Sequence, residues 1–191
     1  MEATLLVLAG GDSRRMGRAK AWIEVGDTVL LRYVADRLGP AFSEVIVAFA
    51  EPEQIEQHLP YRLVFDRKPS AGPLAGLEAG LIAARNDVVF AVACDMPYVT
   101  RSTAELAVAA ARNSDGAIPR HDGIFEPVCG AYRKTALPVI VGALDAGNYT
   151  AHDAVAELDV TWLEDIDPDE LESLNTPADL QRFHAALAAQ R

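Results

Sequence analysis

The sequence predicts a three-layer α/β fold in which a mostly parallel β-sheet carries helices on both faces. Short β-branched and aliphatic runs alternate with longer segments of helical periodicity along most of the chain. Half of the 191 residues are hydrophobic, which suffices for a large core. No internal repeat or linker-like stretch interrupts the pattern, so residues 1–191 are predicted to form a single domain.

The first half of the chain contains four predicted strands and two predicted helices. Val88–Ala93 is the most continuous apolar run, which predicts a central strand. In Val29–Leu38 apolar residues recur at helical spacing until a Gly-Pro pair ends the pattern. Pro73–Ala84 begins with proline, which the first turn of a helix tolerates because its N–H would have no partner there. The four predicted strands are Thr4–Leu8, Glu44–Phe49, Tyr61–Phe65 and Val88–Ala93.

The second half of the chain is less regular. Ser102–Arg112 is rich in alanine and predicts a helix that is capped by Ser102 or Thr103, with an acidic residue in its first turn. Two further strands and an amphipathic closing helix are predicted at Val128–Tyr132, Val160–Leu163 and Pro177–Ala189.

The charge balance limits the classes of partner. With 17 Lys and Arg against 28 Asp and Glu, the net charge is −11, and so acidic a surface repels a nucleic-acid backbone. No apolar run approaches the roughly 20 residues that a membrane-spanning helix needs, and no signal-peptide pattern opens the chain. Two cysteines are too few for a disulfide framework. We therefore expect a cytoplasmic globular protein with neither nucleic acid nor membrane as a partner.

Candidate functional residues follow the predicted strands at the edge where open α/β sheets bind ligands. Directly after the first strand, the loop Gly10–Lys20 opens with two glycines, which allow close approach of the backbone to a ligand. The loop contains four cations and one acid, a net charge of +3 on an acidic chain, and this favours a polyanionic small ligand. An ordinary glycine turn before a solvated basic stretch is the alternative, since the loop matches neither a P-loop nor a dinucleotide fingerprint.

Two carboxylates form the other candidate sites. Asp95 follows the predicted central strand, where Mg²⁺ and substrate phosphates are commonly held, although it could also cap the next turn. Asp66 ends the third strand, where it could accept a hydrogen bond from a ribose hydroxyl or a base N–H. Gly72–Gly76 could bring the N-terminus of a helix close to a ligand, or could serve only close packing. Cys94 is interpreted as a small buried hydrophobic residue.

Taken together, these motifs resemble the molybdenum cofactor guanylyltransferases, within the wider nucleotidyltransferase group. Leu8–Lys20 matches every defined position of the family pattern L-A-G-G-x-S-x-R-M-G-x-x-K. The family motifs G-P-L-A-G, C-D-x-P and N-T-P-x-D-L appear in the same order at Gly72–Gly76, Cys94–Pro97 and Asn175–Leu180. The resemblance spans essentially the whole chain.

The resemblance implies a Rossmann-like fold of the nucleotide-diphospho-sugar-transferase type. It further implies that GMP is transferred from GTP to the terminal phosphate of molybdopterin, with Mg²⁺ as cofactor and pyrophosphate as the second product. Other cofactor-synthesis proteins and molybdoenzymes are the implied partners. The alternative enzyme uses CTP on molybdopterin, or a nucleoside triphosphate on another phosphorylated acceptor. An accessory protein that binds a nucleotide without turnover is the alternative from a different class.

The resemblance also implies a role for particular residues. Lys20 and Asp95 would be catalytic, and Asp95 would hold the metal. Asn175 would bind the acceptor, or would only mark the start of a helix before Thr176. The chemistry itself asks for a further catalytic cation, for which Arg14 is named, with Arg15 or Arg18 as alternatives. No nucleophilic side chain or general base is required, because a phosphate nucleophile is already ionised, whereas cations are needed to offset the developing charge. The implied GTP-binding residues are Leu8, Ala9, Gly10, Gly11, Lys20, Asp66, Gly76 and Asp95.

Some positions bear on the choice of base, and others depart from the family pattern. Relatives that transfer CMP resemble L-A-A-G in the first loop and lack P-L-A-G, so Gly10 and Pro73–Gly76 favour guanine. One hypothesis is that Gly10 leaves room for the larger purine ring. The family often carries Asp where Ala19 stands, Asn at a position within Ala48–Ala50, and Asn where Ser173 stands.

Overall fold

A computed structural model describes residues 1–10, 19–69 and 71–189. Within these ranges lie ten β-strands and six α-helices. The strands are β1 (Thr4–Leu8), β2 (Glu24–Val25), β3 (Thr28–Val29), β4 (Glu44–Phe49), β5 (Arg62–Phe65), β6 (Val88–Ala93), β7 (Gly116–His121), β8 (Ile124–Phe125), β9 (Cys129–Arg133) and β10 (Val160–Leu163). The helices are α1 (Leu30–Leu38), α2 (Pro73–Ala83), α3 (Arg101–Ala110), α4 (Leu137–Asp145), α5 (Ala151–Ala156) and α6 (Pro177–Ala189).

The main sheet is mostly parallel, as the sequence predicts, and has the strand order β10-β7-β9-β6-β1-β4-β5. Strand β1 pairs in parallel with both β4 and β6, and the pairs β4–β5 and β10–β7 are also parallel. Strand β9 runs antiparallel to its neighbours β6 and β7, and β8 forms a short hairpin with β7. The predicted central position of Val88–Ala93 is confirmed.

The register of these pairs brings three strand ends to one level. Leu8, the last residue of β1, lies opposite Ala48 on β4 and Ala93 on β6. Hydrogen bonds continue past the strands: Cys94 N–H donates to Leu8 O over 3.0 Å, and Asp66 N–H donates to Phe49 O over 3.1 Å. The segments that follow β1, β5 and β6 are therefore held side by side along one edge of the sheet.

Hydrophobic cores on the two faces of the sheet account for the three layers. Alternate residues of β1 point to opposite faces, with Leu5 and Val7 in one cluster and Leu6 and Leu8 in the other. Helices α1 and α3 cover the first face, whereas α2 and α4 cover the second. Helix α6 packs outside these layers through Phe183, which is buried with residues of the β2–β3 hairpin and of α1. The predicted arrangement of helices on both faces is confirmed.

Helix α2 lies unusually close to β1 because two glycines, one helical turn apart, face the strand. A Cβ atom built on Gly80 would lie 2.2 Å from Leu6 Cδ2, and one built on Gly76 would lie 3.0 Å from Leu8 Cδ2. The helix begins after Gly72, whose φ of +68° strongly favours glycine. This packing carries the N-terminus of α2 to the end of β1.

The cap of α3 differs from the prediction. Neither Ser102 nor Thr103 caps the helix. It begins one residue earlier, and the side chain of Thr100 accepts a hydrogen bond of 3.2 Å from the Thr103 N–H. Thr100 has the extended backbone of a cap residue, which places its hydroxyl in front of the first helical turn.

Several short elements escaped the prediction. Strand β7 contains Pro119, a residue type that weakens the prediction of a strand. The proline lies beyond the ladder with β9, which covers only Gly116 and Ala117, and opposite Leu163 in the parallel pairing with β10. The β2–β3 hairpin and helices α4 and α5 were also not predicted. No helix in the described ranges is long and apolar enough to cross a membrane.

The close packing of α2 leads to a prediction about stability. We expect Gly80→Ala to lower the free energy of unfolding by about 1–3 kcal/mol, because Leu6 is fully buried and the added methyl would overpack the core. Gly142→Ala in α4 is the matched control: nothing lies within 4 Å of its built Cβ, and the change should stabilise the helix by roughly 0.5–1 kcal/mol. Urea unfolding of both variants measures the difference, and equal effects would contradict the packing argument.

Candidate active site

A pocket of about 270 Å³ opens at the edge where β1, β4 and β6 end. The N-terminus of α2 and the segment before α6 complete its walls. Seven residues predicted to bind GTP line it, namely Leu8, Ala9, Gly10, Lys20, Asp66, Gly76 and Asp95. Gly11 and Arg14, also predicted as site residues, lie outside the described residues. The fold thus brings together three sites that are far apart in sequence, and their assignment to a nucleotide stays a prediction.

At one end of the pocket, Lys20 contacts two residues from distant parts of the chain. Its Nζ atom donates hydrogen bonds of 2.6 Å to Asp95 Oδ2 and of 2.6 Å to Asn175 Oδ1. The side chains of Lys20 and Asp95 are each 18% exposed, so their ion pair is shielded from water and still reachable from the pocket. The predicted acceptor residue Asn175 therefore lies at the same cation as the predicted metal ligand.

A buried tryptophan fixes the position of Lys20. Lys20 opens a single 3-10 turn, Lys20–Trp22, and the Trp22 side chain is fully buried. Its indole N–H donates to Gln54 O over 2.7 Å, and its ring stacks on Phe49 at the end of β4, with centroids 6.0 Å apart. Sequence analysis did not identify Trp22, because this role depends on contacts between distant segments.

The segment before α6 is anchored to the site by its backbone. Leu174 N–H donates to Asp95 O over 2.8 Å, and the adjacent Ser173 lines the pocket. Asp179 Oδ2 in turn accepts hydrogen bonds from the N–H groups of Asn175 and Thr176, at 2.9 and 2.7 Å. The hydrogen bond with the Thr176 side chain is the largest cause that holds the pKa of Asp179 below its usual value, and the two backbone hydrogen bonds add to it. The backbone of Asn175 thus belongs to the helix cap while its side chain reaches Lys20.

At the other end of the pocket, Asp66 carries an oxygen atom without a partner. Its side chain is half-buried, and Oδ1 has no hydrogen-bond partner among the described residues. Burial disfavours the charged form and the nearby Glu78 adds a like charge, which together raise the pKa of Asp66 from 3.8 to about 7. Because Asp66 also lines the pocket, its carboxyl group is suited to receive an N–H or O–H from a ligand.

Glu78 is the second residue that sequence analysis missed. It lies on α2, is fully buried, and receives a pair of hydrogen bonds from the Arg67 guanidinium at 2.7 and 3.2 Å. Cys94 is also buried, as predicted, and burial raises the pKa of its thiol far above the ordinary value. This is the behaviour of a packing residue and not of a nucleophile.

The geometry at Gly10 differs from the hypothesis of room for a purine. A Cβ atom built on Gly10 would lie 2.7 Å from the backbone nitrogen of Ala50 and 3.3 Å from Ala50 Cβ. A side chain at this position would therefore collide with the backbone just beyond β4. Close backbone packing at the rim of the pocket explains why glycine is needed here.

Known sequences similar to the chain match it along most of its length. The family model described as the MobA-like NTP transferase domain matches residues 5–161. A probable molybdenum cofactor guanylyltransferase of Pelotomaculum thermopropionicum is 35% identical, and the match covers 94% of this chain and 91% of the relative. A molybdenum cofactor guanylyltransferase of Pseudomonas putida is 34% identical, with coverage of 93% and 95%.

Solved structures share the fold at lower identity. Molybdopterin-guanine dinucleotide biosynthesis protein A from Archaeoglobus fulgidus superposes with a TM-score of 0.86 at 23% identity, over 97% of this chain and 99% of that one. The 2-C-methyl-D-erythritol 4-phosphate cytidylyltransferase of Thermus thermophilus reaches 0.75 at 19% identity, over 98% and 100%. The Rossmann-like nucleotidyltransferase fold is thereby confirmed.

The raised pKa of Asp66 predicts a pH dependence of stability. The folded protein holds this proton more tightly than the unfolded chain, so the free energy of unfolding should fall as pH rises from about 4 to about 7. We expect Asp66→Asn to remove roughly 1–2 kcal/mol of this fall, a value reduced for the solvent that reaches the half-buried group. Urea unfolding at several pH values measures it.

The control for this experiment is Glu2→Gln, which removes an exposed carboxylate from the same chain. It should leave the pH dependence of unfolding as it is in the wild type. An unchanged slope in Asp66→Asn would show that Asp66 titrates normally.

Proposed function

Because the chain belongs to the MobA-like NTP transferase family, we propose that it transfers GMP from GTP to the phosphate of molybdopterin. The products are the guanine dinucleotide cofactor and pyrophosphate. The observation that carries the proposal is the contact of Lys20 with Asp95 inside a pocket that also holds Asp66. A phosphate-binding cation, a metal-binding carboxylate and a nucleoside-binding carboxylate are what this reaction needs.

The reaction exchanges one phosphorus–oxygen bond for another. A phosphate oxygen of molybdopterin forms a bond to the α-phosphorus of GTP, while the bond from that phosphorus to the oxygen bridging the β-phosphate breaks. Pyrophosphate leaves with the electron pair. Negative charge grows on the leaving group, and the ammonium of Lys20, already positioned by Trp22, is placed to offset it. Arg14, outside the described residues, is proposed as a further cation.

The donor set of the pocket fits Mg²⁺. This ion is usually held by one or two carboxylates together with phosphate oxygens and water, and Asp95 presents such a carboxylate beside the proposed phosphate site. Asp95 would hold the ion, which when bound polarises the phosphates as a Lewis acid. Lys20 then binds the phosphates in place of Asp95.

The proposal of GTP as the donor rests on the relatives, because the fold alone does not select the base. A cytidylyltransferase shares this fold at a TM-score of 0.75. Asp66 supports a nucleoside contact through its Oδ1, which no described residue engages in a hydrogen bond. Asn175, beside Lys20, supports an acceptor contact. Cofactor-synthesis proteins and molybdoenzymes are proposed as partners. Residues 1–191 are proposed to form one nucleotidyltransferase domain, because its last helix packs on α1 through Phe183.

Isothermal titration of the protein with GTP, CTP and ATP, with and without Mg²⁺, tests the proposal. We expect GTP to bind most tightly. Lys20→Met should weaken GTP binding about 10- to 100-fold, since a hydrogen bond to a charged group is worth roughly 1.5–3 kcal/mol. Asp95→Asn should abolish the gain in affinity that Mg²⁺ gives to the wild type. Tighter binding of CTP would place the protein with the cytidylyl-transferring relatives.

Matched controls come from the opposite edge of the sheet. Lys134→Met removes a partly buried lysine whose Nζ donates to Ala84 O over 2.6 Å, and Asp87→Asn removes the carboxylate that precedes β6 and pairs with Arg133. Both variants should bind GTP as the wild type does. Mg²⁺-dependent release of pyrophosphate in the presence of molybdopterin then separates an enzyme from a nucleotide-binding accessory protein.

The collision at Gly10 predicts an unselective effect of Gly10→Ala. The added methyl should displace the loop after β1, because the nearest atom is backbone and not a flexible side chain. We expect affinities for GTP and CTP to fall by a similar factor, as titration of both nucleotides measures, while Gly142→Ala leaves both unchanged. A loss confined to GTP would support the hypothesis that Gly10 makes room for the purine.

A further inference from the structure

We propose that Glu78 is a positioning residue that holds the Arg67 guanidinium away from Asp66, and so keeps the Asp66 carboxylate available for the nucleotide. The identity of that ligand rests on the function proposed above. The ion pairs that carry the inference do not depend on it.

Glu78 stands out against the rest of α2. The other buried residues of this helix are leucine, alanine and glycine, whereas Glu78 is acidic and fully buried. A buried carboxylate is costly unless it is paired and hydrogen-bonded. Arg67 supplies that partner in a two-pronged arrangement, with NH2 at 2.7 Å from Oε1 and Nε at 3.2 Å from Oε2.

Arg67 directly follows Asp66, which makes it the cation closest in sequence to that carboxylate. Yet the guanidinium binds Glu78, and Asp66 Oδ1 has no partner among the described residues. The side chain of Arg67 is 54% exposed, so it has room to turn. Without Glu78, the guanidinium would be free to turn towards the carboxylate of Asp66, since Asp145, which Arg67 also influences, is already bound by Lys68.

The other charged groups around Asp66 are also engaged. Lys68, the next residue, donates to Leu144 O and Asp145 Oδ1 at the end of α4, over 2.9 and 2.6 Å. Across the pocket, Lys20 pairs with Asp95. Strands β1 and β4 contribute apolar atoms of Leu8 and Ala48, and from α2 only Glu78 contributes a charge.

The geometry therefore divides two carboxylates between two tasks. Glu78 takes the cation of the loop, and Asp66 keeps an acceptor at the wall of the pocket, 3.6 Å from a Cβ atom built on Gly76. Burial and the like charge of Glu78 favour the neutral form of Asp66 in the empty pocket. A ligand that donates a hydrogen bond restores the charged form as it binds.

Two readouts on four variants test this inference. The variants are Glu78→Gln, Glu78→Gln with Arg67→Gln, Asp66→Asn, and Asp66→Asn with Glu78→Gln. The first readout is the dissociation constant of GTP by titration between pH 5 and pH 8, and the second is the slope of unfolding free energy against pH without ligand.

We expect Glu78→Gln to weaken GTP binding about fivefold or more, because Arg67 then competes for Asp66. The removal of Arg67 as well should restore the affinity to within about twofold, and Glu78→Gln should have no effect where Asp66 is already asparagine. Without ligand, the fall of stability between about pH 4 and pH 7 should be smaller in Glu78→Gln than in Glu78→Gln with Arg67→Gln. Both variants lose the like charge of Glu78, but only the first gains an ion pair that lowers the pKa of Asp66 further.

An effect of Glu78→Gln that persists in the Asp66→Asn background would overturn the inference, as would equal slopes in the ligand-free Glu78→Gln variants with and without Arg67→Gln. If Glu78→Gln alone does not fold, the variant with both Glu78→Gln and Arg67→Gln decides. An affinity for GTP within twofold of wild type supports the inference, and a loss beyond fivefold contradicts it. A wild type that does not bind GTP refutes the proposed function, while the ligand-free slope still tests the ion pairs.

Discussion

The parallel pairing of β1 between β4 and β6 is the constraint on which the pocket depends. Because Leu8 is level with Ala48 and Ala93, the chain leaves neighbouring strands at the same height. Three segments are thereby brought to one edge of the sheet. They are the glycine loop after β1, the segment with a carboxylate after β6 and the segment with a carboxylate after β5. The side chains of these segments lie close together, and Lys20, which lies on a single helical turn, can therefore contact Asp95.

The two ends of the pocket differ in how their charged side chains are balanced. Lys20 and Asp95 neutralise each other at one end, and each would gain a separate partner, phosphate and metal ion, when a nucleotide enters. At the other end, Asp66 is half-buried, and its Oδ1 has no hydrogen-bond partner in the part of the chain that the structure describes. On the proposed function, ligand binding would exchange contacts at the first end and would satisfy an acceptor at the second.

Residues whose pattern is local could be predicted from the sequence, and residues whose role is set by tertiary contacts could not. Thr4–Leu8 and Glu44–Phe49 were predicted with the bounds that the structure shows, because continuous apolar runs of that length suit a buried strand. The glycine loop and both pocket carboxylates stand at strand ends, so their convergence follows from topology. Glu78 gives no such signal, since α2 is apolar on nearly every side. Trp22 matters only through Gln54 and Phe49.

The backbone hydrogen bond from Leu174 to Asp95 has a consequence for the order in which parts of the site appear during synthesis. All ten described strands end before residue 164, so a nascent chain of that length already contains the whole sheet. The segment with Ser173, which lines the pocket, and Asn175, which accepts from Lys20, emerges from the ribosome only afterwards. A chain truncated in between would contain every described strand and lack one side of the pocket, so the segment after β10 adds a wall that the sheet alone does not supply.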